Sequence, residues 1–187
     1  MQNPRMALEF TTSYLKDSTS LLRHYKLLGE KAIAQVSDSD LLACVDPESN
    51  SIAIIVKHLA GNMVSRWTDF LTADGEKPSR NRDSEFEGPP ETRAELLAMW
   101  NGAWEVVFDS LAPVTEEDMI RTVRIRGEAH SVMQAINRQL AHYAYHIGQI
   151  VFIAKHLASD QWKSLSIPRG ESADFNTRVA AGTASQR

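Results

Sequence analysis

The segment HYAYHIGQI, residues 142–150, sets His142 and His146 four residues apart. On an α-helix this spacing turns the two side chains about 40° from one another and lifts one about 6 Å above the other. Two imidazoles so placed reach a single ion, and metal binding is the chemistry the pair suggests. The zinc-protease form HExxH is not supported, because Tyr143 holds the place of the general-base glutamate. A third ligand would have to come from the four remaining histidines. His58, in IIVKHLAGN, lies between Ile55 and Asn62 at helical spacing, which turns its ring toward a packed interior. Ala60 and Gly61 beside it let a neighbouring helix come close. His24, in LLRHYKLL, borders an apolar stripe and competes for the same role; His130 falls in an expected loop and His156 near a helix end. A histidine buried without a partner is costly to desolvate, and three converging on one ion would remove that cost together.

Three neutral imidazoles leave a divalent ion its full charge and an open coordination position, which is the layout of a catalytic rather than a structural site. Such an ion acidifies water or keeps a thiolate deprotonated. Asn62, one turn after His58, and Gln149, about one turn after His146, are candidates to orient a ligand or bound water; each is equally readable as a buried amide satisfied by a neighbouring helix. Arg66, Arg80, Arg82 and Arg169 are candidates for an anionic substrate, since a carboxylate fits a guanidinium fork. Arg169 leads them, set between Pro168 and Gly170 in a tail able to fold over the site. Tyr143 is expected in the core, and Trp100 and Trp104 in the core or a dimer contact.

The elements that must position these residues are helical. The composition is that of a globular chain: 187 residues, 43% hydrophobic and 24% charged, with net charge −4. With both signs interspersed and no basic field, nucleic acid is not an expected partner. No apolar run is long enough to span a membrane and the N-terminus lacks a signal-peptide pattern, so the expected compartment is the cytoplasm. The single cysteine, Cys44, permits no intrachain disulfide and is expected to be a small buried hydrophobe. Helical periodicity covers roughly 5–35, 51–72, 91–112 and 131–158, with Ser49, Asn50 or Ser51 able to cap the second helix and Ser131 near the start of the fourth. Between the second and third, ADGEKPSRNRDSEFEGPP (73–90) reads as a loop, too long for a tight hairpin and able to run the length of a bundle. IRTVRI (120–125) alternates and then meets Gly127, as a short hairpin arm would. The tail after 160 shows no helical pattern, and its last residues, within 177–187, read as disordered. The fold class expected is all-α: a single four-helix bundle over 1–176, up-down-down-up, with the long crossover between its second and third helices and an irregular C-terminal tail.

The segments HLAGNMVSRWTDFL, HYAYHIGQI and SIPRGES together resemble the DinB/YfiT-like superfamily of bacterial four-helix bundles, from the first helix to about residue 176. A second-helix histidine followed about 80 residues later by HxxxH is that family's metal pattern. The resemblance implies an up-down-down-up bundle whose metal ligands are His58, His142 and His146, with His24 left out. It implies one divalent metal ion, nickel or zinc, with positions open for water or substrate. Related families are similar to thiol-dependent transferases, so the resemblance points to a small-molecule substrate, a low-molecular-weight thiol such as bacillithiol or mycothiol. Metal-assisted hydrolysis and a non-catalytic, stress-related metal-binding bundle are the alternatives, and pairing into a homodimer is expected.

Overall fold

Side-chain caps fix where the long helices begin in the computed structural model, which describes residues 10–185. Ser13 accepts from the Lys16 amide at the start of α1 (Tyr14–Ile33), and Ser51 from the Ile54 amide at the start of α3 (Ile52–Trp67). Reciprocal capping boxes, Thr92 with Glu95 and Ser131 with Gln134, open α4 (Arg93–Leu111) and α5 (Val132–Ala158). Each cap satisfies amides that the first helical turn leaves without partners. Of the three cap candidates before α3, Ser51 is the one used. The short α2 (Asp38–Leu42) was not expected, and neither was α6 (Ser172–Ala180), which forms in the tail that shows no helical pattern. Residues 5–9 of the expected first helix, and 186–187 of the expected disordered end, lie outside the described residues.

The protein is mostly helical, with one two-stranded antiparallel sheet among the described residues. The four long helices share one apolar core. Their closest packing is in two pairs, α3 on α4 and α1 on α5. Trp67, Trp100, Trp104 and Tyr143 are fully buried there, so both tryptophans of α4 belong to the core. The Trp67 indole donates to the Tyr143 hydroxyl at 2.9 Å, which supplies the polar partner each ring needs when buried. Burying each large apolar side chain contributes about 1.5–3 kcal/mol. The core therefore stands on apolar contact without help from the histidines.

Contacts at the helix ends record their directions. The Tyr14 hydroxyl near the start of α1 donates to Asn137 near the start of α5 (2.7 Å), and Gln35 just past α1 bonds Lys163 just past α5. The Ser110 hydroxyl at the end of α4 donates to the carbonyl of Trp67 at the end of α3 (2.9 Å). Arg93, the first residue of α4, donates to the carbonyls of Ile33 and Val36 at the end of α1.

The segment 73–90 runs back along α3. Gly75 accepts from the Ser65 hydroxyl and the Arg66 guanidinium, Glu85 meets His58, and Glu87 and Gly88 accept from Lys57. A single 3-10 turn, Asp83–Phe86, interrupts it. The hairpin arm also forms: β1 (Thr122–Ile125) pairs antiparallel with β2 (Glu128–Ser131). Its turn puts Arg126 and Gly127 at φ of 57° and 79°, the left-handed pair that a two-residue hairpin turn requires and that glycine accepts without strain. Both Asp74 carboxylate oxygens cap this turn, accepting from the Arg126 and Gly127 amides at 2.8 and 2.7 Å. Cys44 departs from expectation. It lies exposed, in the chain that leaves α2.

Candidate metal centre

The period of α5 places His142 and His146 on one face while Tyr143 and Ile147 turn into the core. Across from them α3 presents His58, which is buried. The three rings converge: Nε2 of His142 lies 3.3 Å from Nε2 of His58 and 3.1 Å from Nε2 of His146. One nitrogen from each ring lies within 4.8 Å of the others, so the three could hold a metal ion. Ligand nitrogens about 2.0–2.1 Å from a tetrahedral ion stand about 3.3 Å apart, close to the two short separations found.

The outer nitrogens decide the tautomers. His58 donates its Nδ1–H to Glu85 Oε2 at 2.8 Å, because a carboxylate in that place only accepts. His146 donates its Nδ1–H to Gln149 Oε1 at 2.7 Å, and the Gln149 amide nitrogen donates in turn to the Tyr145 hydroxyl at 3.3 Å. Both histidines therefore direct Nε2 lone pairs inward. A carboxylate or amide behind a ligating imidazole is the usual outer partner of a metal-bound histidine. The donor set and its spacing fit a divalent ion.

Electrostatics favour the neutral form of the two α5 rings. Burial pulls His142 down to about 3, helped by its histidine neighbours and by Arg80 and Arg66. Burial also lowers His146, against the opposing pull of its Gln149 hydrogen bond. Neutral imidazole is the form that binds metal.

Glu85 is the residue that sequence reasoning missed, and its partner is Arg80, one of the expected anion candidates. Arg80 donates Nε to Glu85 Oε1 at 2.7 Å and Nη2 to Glu85 Oε2 at 3.0 Å, a bidentate fork, with both side chains buried. Burial pushes the Glu85 carboxyl up, but hydrogen bonds from His58 and Arg80 and the charge on Arg80 outweigh it and hold the group below the ordinary range. Phe86 stacks on the His58 ring at 4.8 Å, and Arg82 lies over Phe86. Gly61 makes the approach possible, since a Cβ there would stand 2.5 Å from Glu85 Oε1. An aromatic residue inside a polar loop, and a glycine inside an apolar helix, were the available signals.

The other expected residues fall differently. Gln149 backs His146, as an orienting amide would. Asn62 is buried on the same side of α3 as His58, with its side-chain oxygen unpartnered. Arg66 is buried and donates through Nη1 to Gly75 and to Glu76 Oε2 (2.7 Å), while its Nε has no partner. Arg169 is exposed in its turn, and among the described residues no hydrogen bond or ion pair joins it to the histidines. His24 is exposed on α1 and His156 on α5, while His130 bonds the Glu128 carbonyl in β2; none joins the cluster. A groove of about 490 Å³ adjoins the site, lined among others by Ile55, Tyr145, Gln149, Phe152 and Ile153, with Asp46 and Glu48 at its rim.

Comparison with protein families matches residues 9–171 to the family described as "Protein of unknown function (DUF1572)". The chain belongs to the DUF1572 family. The match takes in all four long helices, the hairpin and the three converging histidines, and stops one residue short of α6. Glu85 and Arg80 thus lie inside the DUF1572 region as well. Comparisons with curated proteins and with solved structures returned no match. No helix among the described residues is long and apolar enough to cross a membrane.

Proposed function

We propose that this chain binds one divalent ion, nickel or zinc, through Nε2 of His58, His142 and His146, and serves as a metal-dependent transferase for a low-molecular-weight thiol. One observation carries the reading: three imidazole nitrogens converge at ligand spacing, two of them with their outer nitrogens fixed by Glu85 and Gln149. Imidazole donors suit both metals. The assignment to the DinB/YfiT-like superfamily, with up-down-down-up order, draws support from the end contacts that set α1 beside α5 and α3 beside α4 in parallel.

A divalent ion in this place supplies Lewis acidity, lowering the pKa of a thiol or water that it coordinates. The chain's own groups do the rest. Glu85 and Gln149 hold the rings of His58 and His146 in the ligating tautomer, and burial keeps His142 and His146 unprotonated at neutral pH. The adjoining groove, with Tyr145 and Phe152 on its wall, accommodates the apolar body of a small molecule. Thiol chemistry is favoured over hydrolysis because hydrolysis asks for a free general base. The carboxylate that touches the site, Glu85, is held in a bidentate ion pair with Arg80 and a hydrogen bond from His58.

The test is metal analysis of protein purified without an affinity tag, then zinc and nickel titration of single alanine variants at His58, His142, His146 and His24. One ion per chain is expected for the wild type and His24→Ala, and none for the other three. Loaded protein should then conjugate bacillithiol, mycothiol or glutathione to an electrophile faster than metal-free protein. Retention of the ion by His58→Ala would overturn the ligand set, and equal rates with and without metal would overturn the activity.

A further inference from the structure

Among the described residues, six buried side-chain polar atoms lack a hydrogen-bond partner, and four of them belong to α3 and α5 beside the histidines. They are Asn62 Oδ1, Arg66 Nε, Gln139 Oε1 and His142 Nδ1. Asn62 sits one turn after His58 and one turn before Arg66, so the three share a side of α3. Gln139 precedes His142 by one turn on α5. The two rows face each other, because His58 meets His142 and because Arg66 and Gln139 line one cavity. Buried polar atoms in folded proteins are almost always satisfied, so four orphans in one place call for a common explanation.

The inventory closes when they are paired. Arg66 Nε is a donor and Gln139 Oε1 an acceptor, and the cavity they share offers about 10 Å³ to the centre of a water molecule. That is room for one water, placed to bridge them. Left over on α3 and α5 are one acceptor, Asn62 Oδ1, and the outer nitrogen of His142. His142 is also the one member of the cluster whose Nδ1 has no backing group.

We propose that Asn62 is the positioning residue of His142, its amide oxygen linked to the Nδ1–H of that ring through one ordered water. This fixes the tautomer that turns Nε2 of His142 toward Nε2 of His58 and His146. Each histidine then has its own outer acceptor: a carboxylate for His58, a glutamine for His146 and an asparagine for His142. The inference rests on the three-histidine site and adds the residue that completes it.

The experiment compares wild type, Asn62→Leu, Asn62→Asp and Gln139→Leu. Zinc affinity is measured by calorimetry, and the tautomer of His142 by long-range ¹H–¹⁵N spectra of metal-free protein. Wild type should show His142 as the Nδ1–H tautomer. Asn62→Leu should give a tautomer mixture and bind zinc about 10–100-fold more weakly, the usual loss when an outer partner is removed. Asn62→Asp should restore both and move the Nδ1–H proton downfield. That shift carries the test alone if the leucine variant does not fold, and its absence would overturn the assignment. Wild-type affinity and tautomer in Asn62→Leu would overturn it too, as would a tautomer change caused by Gln139→Leu instead. Should the wild type take up no zinc, the metal reading fails separately, while the His142 tautomer still decides the role of Asn62.

Discussion

Glu85→Gln keeps the shape of the side chain and removes a buried negative charge from between two partners. His58 retains an acceptor if the amide oxygen turns to it, but the amide nitrogen then faces the Arg80 guanidinium, which can only donate. Arg80 keeps Glu76 at 3.2 Å and little else. Stranding one member of a buried ion pair costs about 3–5 kcal/mol; with Glu76 still in place, a loss of about 2–3 kcal/mol at pH 7 is expected. Zinc should bind about 10–100-fold more weakly for want of the carboxylate behind His58, a loss of about 1.4–2.7 kcal/mol. Urea unfolding of metal-free protein reads the first effect and calorimetry the second. Adding Arg80→Met removes the stranded cation, so the double variant should be more stable than Glu85→Gln alone, by about 1 kcal/mol. Wild-type zinc affinity and unfolding midpoint in Glu85→Gln would refute the reasoning, and so would a double variant that loses the sum of the two single losses.

Gly61→Ala places a methyl 2.5 Å from Glu85 Oε1, and should lower stability in urea by about 1–3 kcal/mol, as overpacking does, while weakening zinc. The metal-free protein should lose stability as pH falls from about 6.5 toward about 3, because unfolded histidine takes up protons there that folded His142 refuses. Partial exposure of the ring narrows that window, and the slope, at most about 1.4 kcal/mol per pH unit for one proton, should flatten in His142→Asn unfolding measured across the range. Asp74→Ala frees the two amides of the hairpin turn and should cost about 1–2 kcal/mol, with amide exchange quickening at Arg126 and Gly127 before it does in α5.

The long helices were legible because each carries a capping side chain and a continuous apolar stripe, as Ser131 and Ile136–Ile147–Ile150 show for α5. The spacing of His142 and His146 was legible for the same reason, since a helix repeats. His58 followed from its place in the stripe of α3. Glu85 was not legible, because its environment is made by tertiary contact: Gly61 leaves space on a helix 24 residues upstream, and Arg80 supplies the charge that lets a carboxylate be buried. The segment around it is polar by composition and ordered by what it touches. The contacts of Arg66 were hidden for a related reason. A guanidinium in a helix reads as available to a ligand, while its partners Gly75 and Glu76 appear only once the chain has folded back. The tail misled because α6 buries little beyond Phe175, too short a stripe for a period to show.

The four long helices pack chiefly as two pairs, and His58 stands on one pair while His142 and His146 stand on the other. An ion held by all three is therefore a rivet through the seam, its bond lengths setting how far apart the two halves rest. Forces that slide the halves past one another, whether a bulky guest in the groove or a truncated core residue near Trp67 and Tyr143, will be felt at the ion as changed coordination. In this architecture such an ion would serve as a strain gauge for the whole body, and its spectrum should register distant packing changes that leave the helix content untouched.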